Sequence, residues 1–367
     1  MKSRMARCHF FWILLLVGAC GPRDGEHSGG SSAPGVTSVS LSTSGSSTDT
    51  SAAEDTSGSS TSGDHGGSGS TTLVLDVGVE SDGGSPQPAG CKGKIDFLFV
   101  ISRSGHMGQV LEGYGTITER IAAAAPDFFA TIETKFADFD YHILVTKGDA
   151  DWGSDYCDEE CPGPFTEWCQ PGEDYPCEMV DKLSVCDKTY GAGVVFNAGW
   201  HAPNVPCGVP DDKRYIAKGQ PNLAETFACI VQVGASGYYL VGQALAAAVS
   251  PELTGTGGCN EGFLRDDALL VVTLVTNTID PDSEGTPNSW AQAVIDAKGG
   301  DEKSVVMFFI GPPSLEWCEA QKDNRLCRMI ERFPYRAAVS ALEEDYGPAF
   351  DEAMALVDEA CSSFIPG

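Results

Sequence analysis

The stretch KIDFLFVISRSGHM, residues 94–107, decides the fold that we expect for this chain. Its first half is an almost unbroken apolar run, interrupted only by Asp96. A strand with one solvent-exposed face would alternate polar and apolar residues, whereas a nearly unbroken run is typical of a strand in a parallel sheet that is buried on both faces. The run ends at the polar turn SRSGH (residues 102–106), and ligand sites of open α/β sheets lie where such strands end. The sequence therefore predicts both a parallel sheet and a binding edge.

Similar apolar runs recur further along the chain and alternate with helical patterns. Strands are predicted at DYHILVT (residues 140–146), DALLVVTLVT (267–276) and SVVMFFI (304–310). Helices are predicted over 222–233, 240–249, 289–298, 317–333 and 346–361, and from Gly108 to a break at Pro126. This alternation predicts an α/β fold whose central, mostly parallel sheet is covered by helices on both faces.

The N-terminus has the features of an export signal. Basic residues precede the apolar run FFWILLLV (residues 10–17), which is shorter than the about 20 residues that a membrane-spanning helix needs. Small residues then precede Cys20, an arrangement that resembles the lipobox of bacterial lipoproteins, and the Gly21 that follows favours the outer membrane. We expect a signal peptide over 1–19, lipidation of Cys20 and attachment to a membrane through that lipid. An ordinary secretory signal with an incidental Cys20 is the alternative.

Residues 20–88 are predicted to form a tether. Ser, Thr and Gly dominate them, and TTLVLDVGV (residues 71–79) is their one apolar patch. Such a composition buries too little apolar surface to offset its chain entropy, and Gly/Ser-rich chains behave as flexible coils. We therefore expect a disordered linker that holds a folded domain, residues 89–367, away from the membrane surface.

Charge and motifs narrow the classes of function. The 367 residues carry a formal net charge of −29 without a basic stripe, which disfavours nucleic acid as a partner. HExxH, a P-loop and GxSxG between a strand and a helix are absent from the sequence, and the turn at 102–106 lacks GxGxxG. Ser104 and His106 are two apart in that turn and have no identifiable orienting acid. We expect a protein that is not an enzyme.

The cysteines also indicate export. One of the 14 leaves with the signal peptide and Cys20 takes the lipid, which leaves an even number. In an oxidising compartment the remainder predicts about six disulfides. We propose two pairs, Cys91 with Cys361, which bracket the predicted sheet, and Cys318 with Cys327, which are close in sequence.

Residues 148–218 have the composition of an insertion held by cross-links. They contain half of the cysteines left after export, together with Gly, Pro and Trp and little periodicity. Acidic residues at its start distantly resemble a calcium loop, but Ser154 stands where the sharp turn needs Gly. These acidic residues are Asp149, Asp151, Asp155, Asp158, Glu159 and Glu160. A zinc site at Cys157 and Cys161 would lack a second pair of ligands, so disulfides are favoured there.

The segment FLFVISRSGHM (residues 97–107) resembles the FxxDxSxSM opening of von Willebrand factor type A (VWA) domains. The Cys-rich segment, GFLRDDALLVVTLVT (262–276) and YGPAFDEAMALVDEAC (346–361) then follow in the order found in VWA-like lipoproteins of certain bacteria. The resemblance covers most of residues 91–367. It implies a Rossmann-like VWA fold with a metal-ion-dependent adhesion site on top of the sheet.

The residues at that implied site depart from the pattern of the family. The resemblance implies one Asp and two Ser from DxSxS, a Thr from a second loop and an Asp from a third, which together hold Mg²⁺. Here Ser102 stands at the first Asp and His106 at the second Ser, only Ser104 is kept, and Asn277 replaces the last Asp. Because neutral oxygens supply no compensating charge, we expect the Mg²⁺ site to be degenerate and the chain to need no cofactor.

The polar rim that this site leaves is our candidate for binding. It consists of Ser102, Arg103, Ser104, His106, Asn277 and Asp280. A divalent ion would need Asp280 to turn towards the rim, and with His106 such a site would suit zinc better than magnesium. We expect a cell-surface adhesion or protein-binding module whose partner is a protein or a surface polymer. The alternatives are a calcium-stabilised structural or assembly module of the cell envelope and, more remotely, a hydrolase that depends on His201.

Overall fold

The computed structural model describes residues 91, 93–152, 176, 179, 182–210, 212–235 and 237–363. The predicted signal peptide, Cys20 and the predicted tether lie outside these residues, and so do Ser154, Cys157 and Cys161. Within the part of the chain that is described, no helix is long and apolar enough to span a membrane.

One sheet forms the centre of the fold. Its strands are β1 Lys94–Ile101, β2 Asp140–Lys147, β3 Ile216–Ala217, β4 Leu269–Val275, β5 Val305–Gly311 and β6 Tyr335–Ser340. They lie in the order β3-β2-β1-β4-β5-β6, and neighbours run parallel except for the antiparallel pair of β2 and β3. The prediction of a mostly parallel sheet is confirmed. Strand β3 comes from within residues 148–218, the segment that the sequence presents as an insertion.

Helices connect and cover these strands. They are α1 Ile117–Ala123, α2 Ala125–Lys135, α3 Leu223–Val231, α4 Val241–Ala248, α5 Pro251–Thr254, α6 Pro287–Asp296, α7 Leu315–Ala320, α8 Arg325–Ile330 and α9 Gly347–Ser363. Short 3₁₀ turns lie at Gly105–Gly108, Val185–Lys188 and Glu302–Ser304.

Strand β1 shows why the sheet must be covered on both faces. Successive side chains of a strand point to opposite sides. Phe97 and Phe99 therefore enter one apolar core, where their rings lie 5.6 and 6.3 Å from that of Phe128 in α2. Leu98 and Val100 enter the other core, which includes residues of α4, α6 and α8. The prediction of helices on both faces is confirmed.

Four disulfides occur among the described residues. Two of them, Cys91–Cys361 and Cys318–Cys327, are the pairings predicted from the sequence. The other two join residues for which the sequence predicts no pairing, Cys186–Cys259 and Cys207–Cys229. Several disulfides in one domain are typical of proteins that fold in an oxidising compartment.

The helix predicted from Gly108 does not begin there. Helix α1 begins at Ile117, where Thr116 forms the N-cap through a capping box. Gly113 and Gly115, which precede it, have φ angles of 85° and 86°. Such left-handed angles are incompatible with an α-helix and favour glycine. The residues between the 3₁₀ turn and α1 therefore form a loop that carries apolar side chains.

The single helix predicted over 317–333 is also wrong. The structure divides this segment into α7 and α8, and the disulfide Cys318–Cys327 spans the break. Asn324 starts the second helix, because its Oδ1 accepts hydrogen bonds from the backbone N–H groups of Leu326 and Cys327, each at 3.1 Å. An asparagine side chain at a helix N-cap satisfies donors that the helix itself leaves without partners.

Candidate functional site

The loops after β1 and β4 leave the sheet side by side. The two strands pair in parallel from Ile95 opposite Leu269 to Ile101 opposite Val275. Just beyond them, the backbone N–H of Ser102 donates to the carbonyl oxygen of Val275 at 2.9 Å. We call the region where the strands end the carboxyl edge of the sheet, and it is where open α/β folds place their ligands.

Asn277 and His106 meet at this edge. The Asn277 side chain donates from Nδ2 to the backbone carbonyl of His106 at 2.7 Å, while the His106 side chain is exposed to solvent. The Oδ1 atom of Asn277 is buried and has no hydrogen-bond partner among the described residues. The amide therefore fastens the second loop to the first and keeps one acceptor unused.

The two serines of the first loop are buried. Ser102 is fully buried, and its Oγ accepts a hydrogen bond from the backbone N–H of Ser104 at 3.2 Å. Ser104 is 3% exposed, and its Oγ has no hydrogen-bond partner within the described part of the chain. The hydroxyl of Ser102 thus shapes the turn, whereas that of Ser104 is left unused.

The carboxylate of Asp280 is hydrogen-bonded to the start of a helix and to Ser283, and not to other residues of the rim. Its Oδ2 accepts hydrogen bonds from the backbone N–H of Gly242 and from the hydroxyl of Ser283, both at 2.7 Å, and its Oδ1 accepts from the backbone N–H of Ser283 at 3.1 Å. Gly242 lies in the first turn of α4, where a carboxylate is stabilised by free N–H groups and by the helix dipole. The carboxylate is already committed to these donors.

Arg103 is fully buried, although the sequence places it at a binding rim. Its Nη1 donates to both carboxylate oxygens of Asp149, at 3.0 and 3.1 Å, and to the backbone carbonyl of Asp151 at 2.9 Å. Asp149 in turn accepts a hydrogen bond from the backbone N–H of Tyr238 at 3.0 Å. Gly237 lets this backbone pass against the carboxylate, since a Cβ atom there would clash with Asp149. One buried ion pair therefore ties together the loops after β1, after β2 and before α4.

Lys147 adds a second buried cation beside this pair. It ends β2 and is 4% exposed, and its Nζ contacts the backbone carbonyl of Asp151 and lies 3.4 Å from Oδ1 of Asn197 and 3.9 Å from Asp149. Burial and the positive charge of Arg103 lower the pKa of Lys147 to about 7, despite the opposing effect of the nearby carboxylates. Sequence reasoning missed this cluster, because the charges are visible in the sequence but their burial and pairing are not.

The rim does not fit the magnesium ion that the resemblance implies. Mg²⁺ requires near-octahedral oxygen ligands and is usually bound through one or two carboxylates. The rim offers neutral hydroxyl and amide oxygens, and the carboxylates of Asp149 and Asp280 are occupied by other donors. Among the described residues, no group of three or more His, Cys, Asp and Glu side chains is arranged to hold a metal ion.

The opposite, amino edge of the sheet contains a different cluster. Asp96 of β1 is fully buried, and it accepts hydrogen bonds from Nε of Arg265 at 2.9 Å and from the backbone N–H of Arg265 at 2.8 Å. Burial raises the pKa of Asp96 to about 6, although Arg265 opposes the shift. His142 lies 3.7 Å from Asp96, with its Nδ1 2.8 Å from the carbonyl of Phe263. His142 is therefore packed between Asp96 and the backbone of Phe263.

Comparisons with known proteins identify no family. No protein-family model and no curated protein matches the chain. Among solved structures, proximal thread matrix protein 1 from the mussel byssus is similar in two crystal forms. Both are 12% identical and cover 74% of this chain, with TM-scores of 0.34 and 0.33 and with 49% and 47% of that protein covered.

A mutant of the PilB minor pilin from Streptococcus sanguinis is also similar, at 10% identity and a TM-score of 0.33, over 74% of this chain and 63% of the pilin. The chain therefore spans about half the length of the mussel protein and less than two thirds of the pilin. Likenesses at these TM-scores give no information about the role of the chain.

Proposed function

We propose that this chain is an exported, non-enzymatic protein of the cell surface, whose VWA-like domain binds a protein or a surface polymer without a working magnesium-dependent adhesion site. The observation that carries the proposal is the carboxyl edge of the sheet. There, β1 and β4 end as parallel neighbours and their polar loops touch through Asn277 and His106. Site loops on a rigid scaffold commonly serve in binding.

Two features support a VWA-like, Rossmann-like fold in particular. The first is the sheet order, in which the strand that carries the FLFVISRSGHM segment lies centrally between β2 and β4. The second is the order of the family-like segments along the chain, which the strands and helices follow: β1 lies in the first segment, β4 in the second and α9 in the last.

Export and anchoring have separate support. The four disulfides of the described residues fit an oxidising compartment. The lipobox-like sequence at Cys20 supports a lipid anchor, which we propose for the outer membrane or the cell surface.

The geometry at the rim supports a role in binding over catalysis. A nucleophilic serine needs a base within hydrogen-bonding distance. The Oγ of Ser104 has no such partner among the described residues, and the exposed His106 contributes its backbone carbonyl to Asn277. The His201 ring is tilted against that of Trp200, with centroids 4.5 Å apart, and its Nδ1 lies 3.8 Å from a carboxylate oxygen of Glu119.

The anchor is tested by expressing the full chain and its Cys20→Ala variant in a bacterium with an outer membrane. We expect the wild-type chain to incorporate labelled fatty acid and to lie in the membrane fraction, where protease added to intact cells digests it, whereas the variant should incorporate none. Equal labelling of the two chains, or no labelling of the wild-type chain, would contradict lipidation of Cys20.

The metal-free rim is tested by calorimetric titration of the full-length protein with Mg²⁺ and with Mn²⁺. We expect no saturable binding, because the rim offers neutral oxygens beside the buried Arg103. A site of micromolar affinity that Asn277→Ala abolishes would contradict this part of the proposal.

The calcium-stabilised alternative loses one of its proposed ligands. The carboxylate of Asp149 is bound to Arg103 and to the backbone of Tyr238. Four more of the proposed ligands, Asp155, Asp158, Glu159 and Glu160, lie outside the described residues. This alternative predicts a calcium-dependent rise in Tm that Asp151→Ala abolishes.

A further inference from the structure

We propose that a groove beside the carboxyl edge binds an extended segment of a partner protein, in which an apolar side chain is flanked by basic residues. The inference rests on the proposed function, since it names the kind of partner that the surface module would take. The groove has a volume of about 370 Å³ and lies between the loop that precedes α1 and the loop that follows β6. We call it the side groove.

The walls of the side groove are apolar. They include Val110, Leu111, Ile117, Ala341 and Leu342. Val110 is 61% exposed and Leu342 is 72% exposed, so two large apolar side chains face solvent next to a concave surface. Single exposed apolar residues need no explanation, but apolar residues clustered around a groove indicate an interaction site.

The conformation of the loop holds these side chains in the open. Gly113 and Gly115 have positive φ angles, and Leu111 pairs with Gly115 across the turn. Val110 comes just before this turn and lies at the surface.

Two residues that line the side groove each have one buried polar atom without a hydrogen-bond partner among the described residues. Arg120 is 4% exposed, and its two terminal nitrogens donate to the carbonyls of Gly115 and Ala341 at 2.8 and 2.5 Å. Its Nε–H has no partner among the described residues, and the same holds for Oδ1 of Asn277. Both residues line the groove.

Both atoms are buried, so they lie below the surface of the groove, and recognition there falls to its apolar side chains. The apolar walls favour a peptide side chain over a polysaccharide.

Negative charges near the side groove favour basic residues on either side of the partner's apolar side chain. The two loops that border the groove carry exposed acidic residues, which are Glu112, Glu343, Glu344 and Asp345. Glu344 lies against the hydroxyl of Tyr114, so acidic and aromatic groups of the two loops meet. A net charge of −29 adds a long-range attraction for cations and disfavours a second copy of the chain as the occupant.

The test uses full-length protein in detergent and short fluorescent peptides whose central Leu is flanked by Lys. Control peptides replace Leu by Ser or Lys by Glu. We expect the Lys–Leu peptide to bind, the binding to weaken as salt is raised, and both control peptides to bind at least about tenfold more weakly. Absence of binding by the Lys–Leu peptide, or equal binding by the controls, would overturn the proposal.

Matched variants locate the binding site. Leu342→Ser is expected to weaken binding about tenfold, whereas Val185→Ser, which alters an 84% exposed residue of the 3₁₀ turn Val185–Lys188, is expected to leave it unchanged. Both positions face solvent, so both variants should fold. Equal affinities of the two variants for the peptide would place the binding elsewhere and overturn the proposal.

A parallel measurement separates this proposal from the proposed function. Cells that display the full chain are tested for adhesion to immobilised surface proteins and, separately, to surface polysaccharide. If wild-type cells adhere to proteins and Leu342→Ser cells do not, the result supports both the proposed binding function and the side groove as its site. If Leu342→Ser cells adhere as well as wild-type cells, or if adhesion is to polysaccharide alone, the binding function stands and the side groove is not its site. If neither peptide nor surface material is bound, both proposals fail.

Discussion

Each edge of the sheet contains an arginine–aspartate pair, but the two pairs join different parts of the protein. At the amino edge, Arg265 holds the carboxylate of Asp96 inside a closed network in which Lys298 donates to the carbonyl of Arg265 at 2.6 Å. At the carboxyl edge, Arg103 and Asp149 join loops that the sheet itself does not hold. The Arg265–Asp96 pair therefore stabilises the start of β1, whereas the Arg103–Asp149 pair holds together the loops at the carboxyl edge.

The unsatisfied polar atoms show the same contrast. Within the described part of the chain, buried side-chain atoms without a hydrogen-bond partner belong to Ser104, Arg120, Thr146, Trp152, His201 and Asn277. None of these residues lies at the amino edge. Buried polar groups are normally hydrogen-bonded, and each exception needs an explanation. The comparison distinguishes a closed amino edge from the carboxyl edge, where we propose that binding occurs.

The largest effect that we predict concerns the disulfide that holds the amino edge. Cys91 precedes β1 and Cys361 lies in α9, a separation of 270 residues, compared with 9 for Cys318–Cys327. On a chain-entropy model, closing the long loop stabilises the fold by about 5 kcal/mol and closing the short one by about half as much. We therefore expect Cys91→Ser/Cys361→Ser to lower the free energy of unfolding more than Cys318→Ser/Cys327→Ser, as measured by urea denaturation. Equal losses would show that the long disulfide does not restrict the unfolded chain in this way.

The next prediction compares the two arginines directly. Arg103→Met leaves the buried carboxylate of Asp149 without its cation, which should cost about 3–5 kcal/mol of unfolding free energy. Arg265→Met should cost less, because the Arg265 side chain is 14% exposed and Asp96 can instead take up a proton. The measurement is the urea midpoint of each variant.

The double variant Arg103→Met/Asp149→Asn is the control for this comparison. It should recover part of the loss, since no uncompensated charge remains. A larger cost for Arg265→Met than for Arg103→Met would contradict the distinction between the edges.

Much of the sheet could be predicted from the sequence, and particular residues show where prediction stopped. Strands β1 and β4 are nearly unbroken apolar runs, interrupted only by Asp96 and Thr273 within the runs, so their burial and parallel packing follow from composition. Strand β6 (YRAAVS) has no such run, because most of its residues are only partly buried. Its sequence therefore does not indicate a buried strand. The turn before α1 had a usable signal in Gly113 and Gly115, which the apolar spacing of the segment obscured.

The candidate site was predictable only in part. The meeting of the loops at His106 and Asn277 follows from placing two parallel strands side by side. The pairing of Arg103 with Asp149 does not, since the partners are 46 residues apart and many carboxylates in this acidic chain were available. Burial, which turns Arg103 from a binding residue into a structural one, is a tertiary property.

The pH dependence of stability should have opposite signs at the two edges. The pKa of Asp96 is raised from 3.8 to about 6, so the folded state binds its proton more tightly and stability falls as pH rises through that window. The pKa of Lys147 is lowered from 10.5 to about 7, so stability rises with pH between about 7 and 10.5. Each slope is limited to about 1.4 kcal/mol per pH unit.

Variants that cannot titrate separate the two contributions. Asp96→Asn should flatten the acidic limb alone and Lys147→Met the alkaline limb alone, as measured by urea denaturation across pH. A Lys147→Met protein whose stability still rises on the alkaline side would show that another group causes that slope.

The smallest effect concerns the exposed residue of the side groove. Leu342 is 72% exposed, so Leu342→Ser should change the free energy of unfolding by less than about 0.5 kcal/mol, because little apolar area is uncovered. The same change at the fully buried Leu326 should cost several times more, since it removes apolar contacts from the core and buries a hydroxyl. If Leu342→Ser were as destabilising as Leu326→Ser, the residue would already be covered in solution, and the carboxyl edge would be closed like the amino edge. A stable Leu342→Ser protein that loses the Lys–Leu peptide would instead separate binding from stability at one side chain.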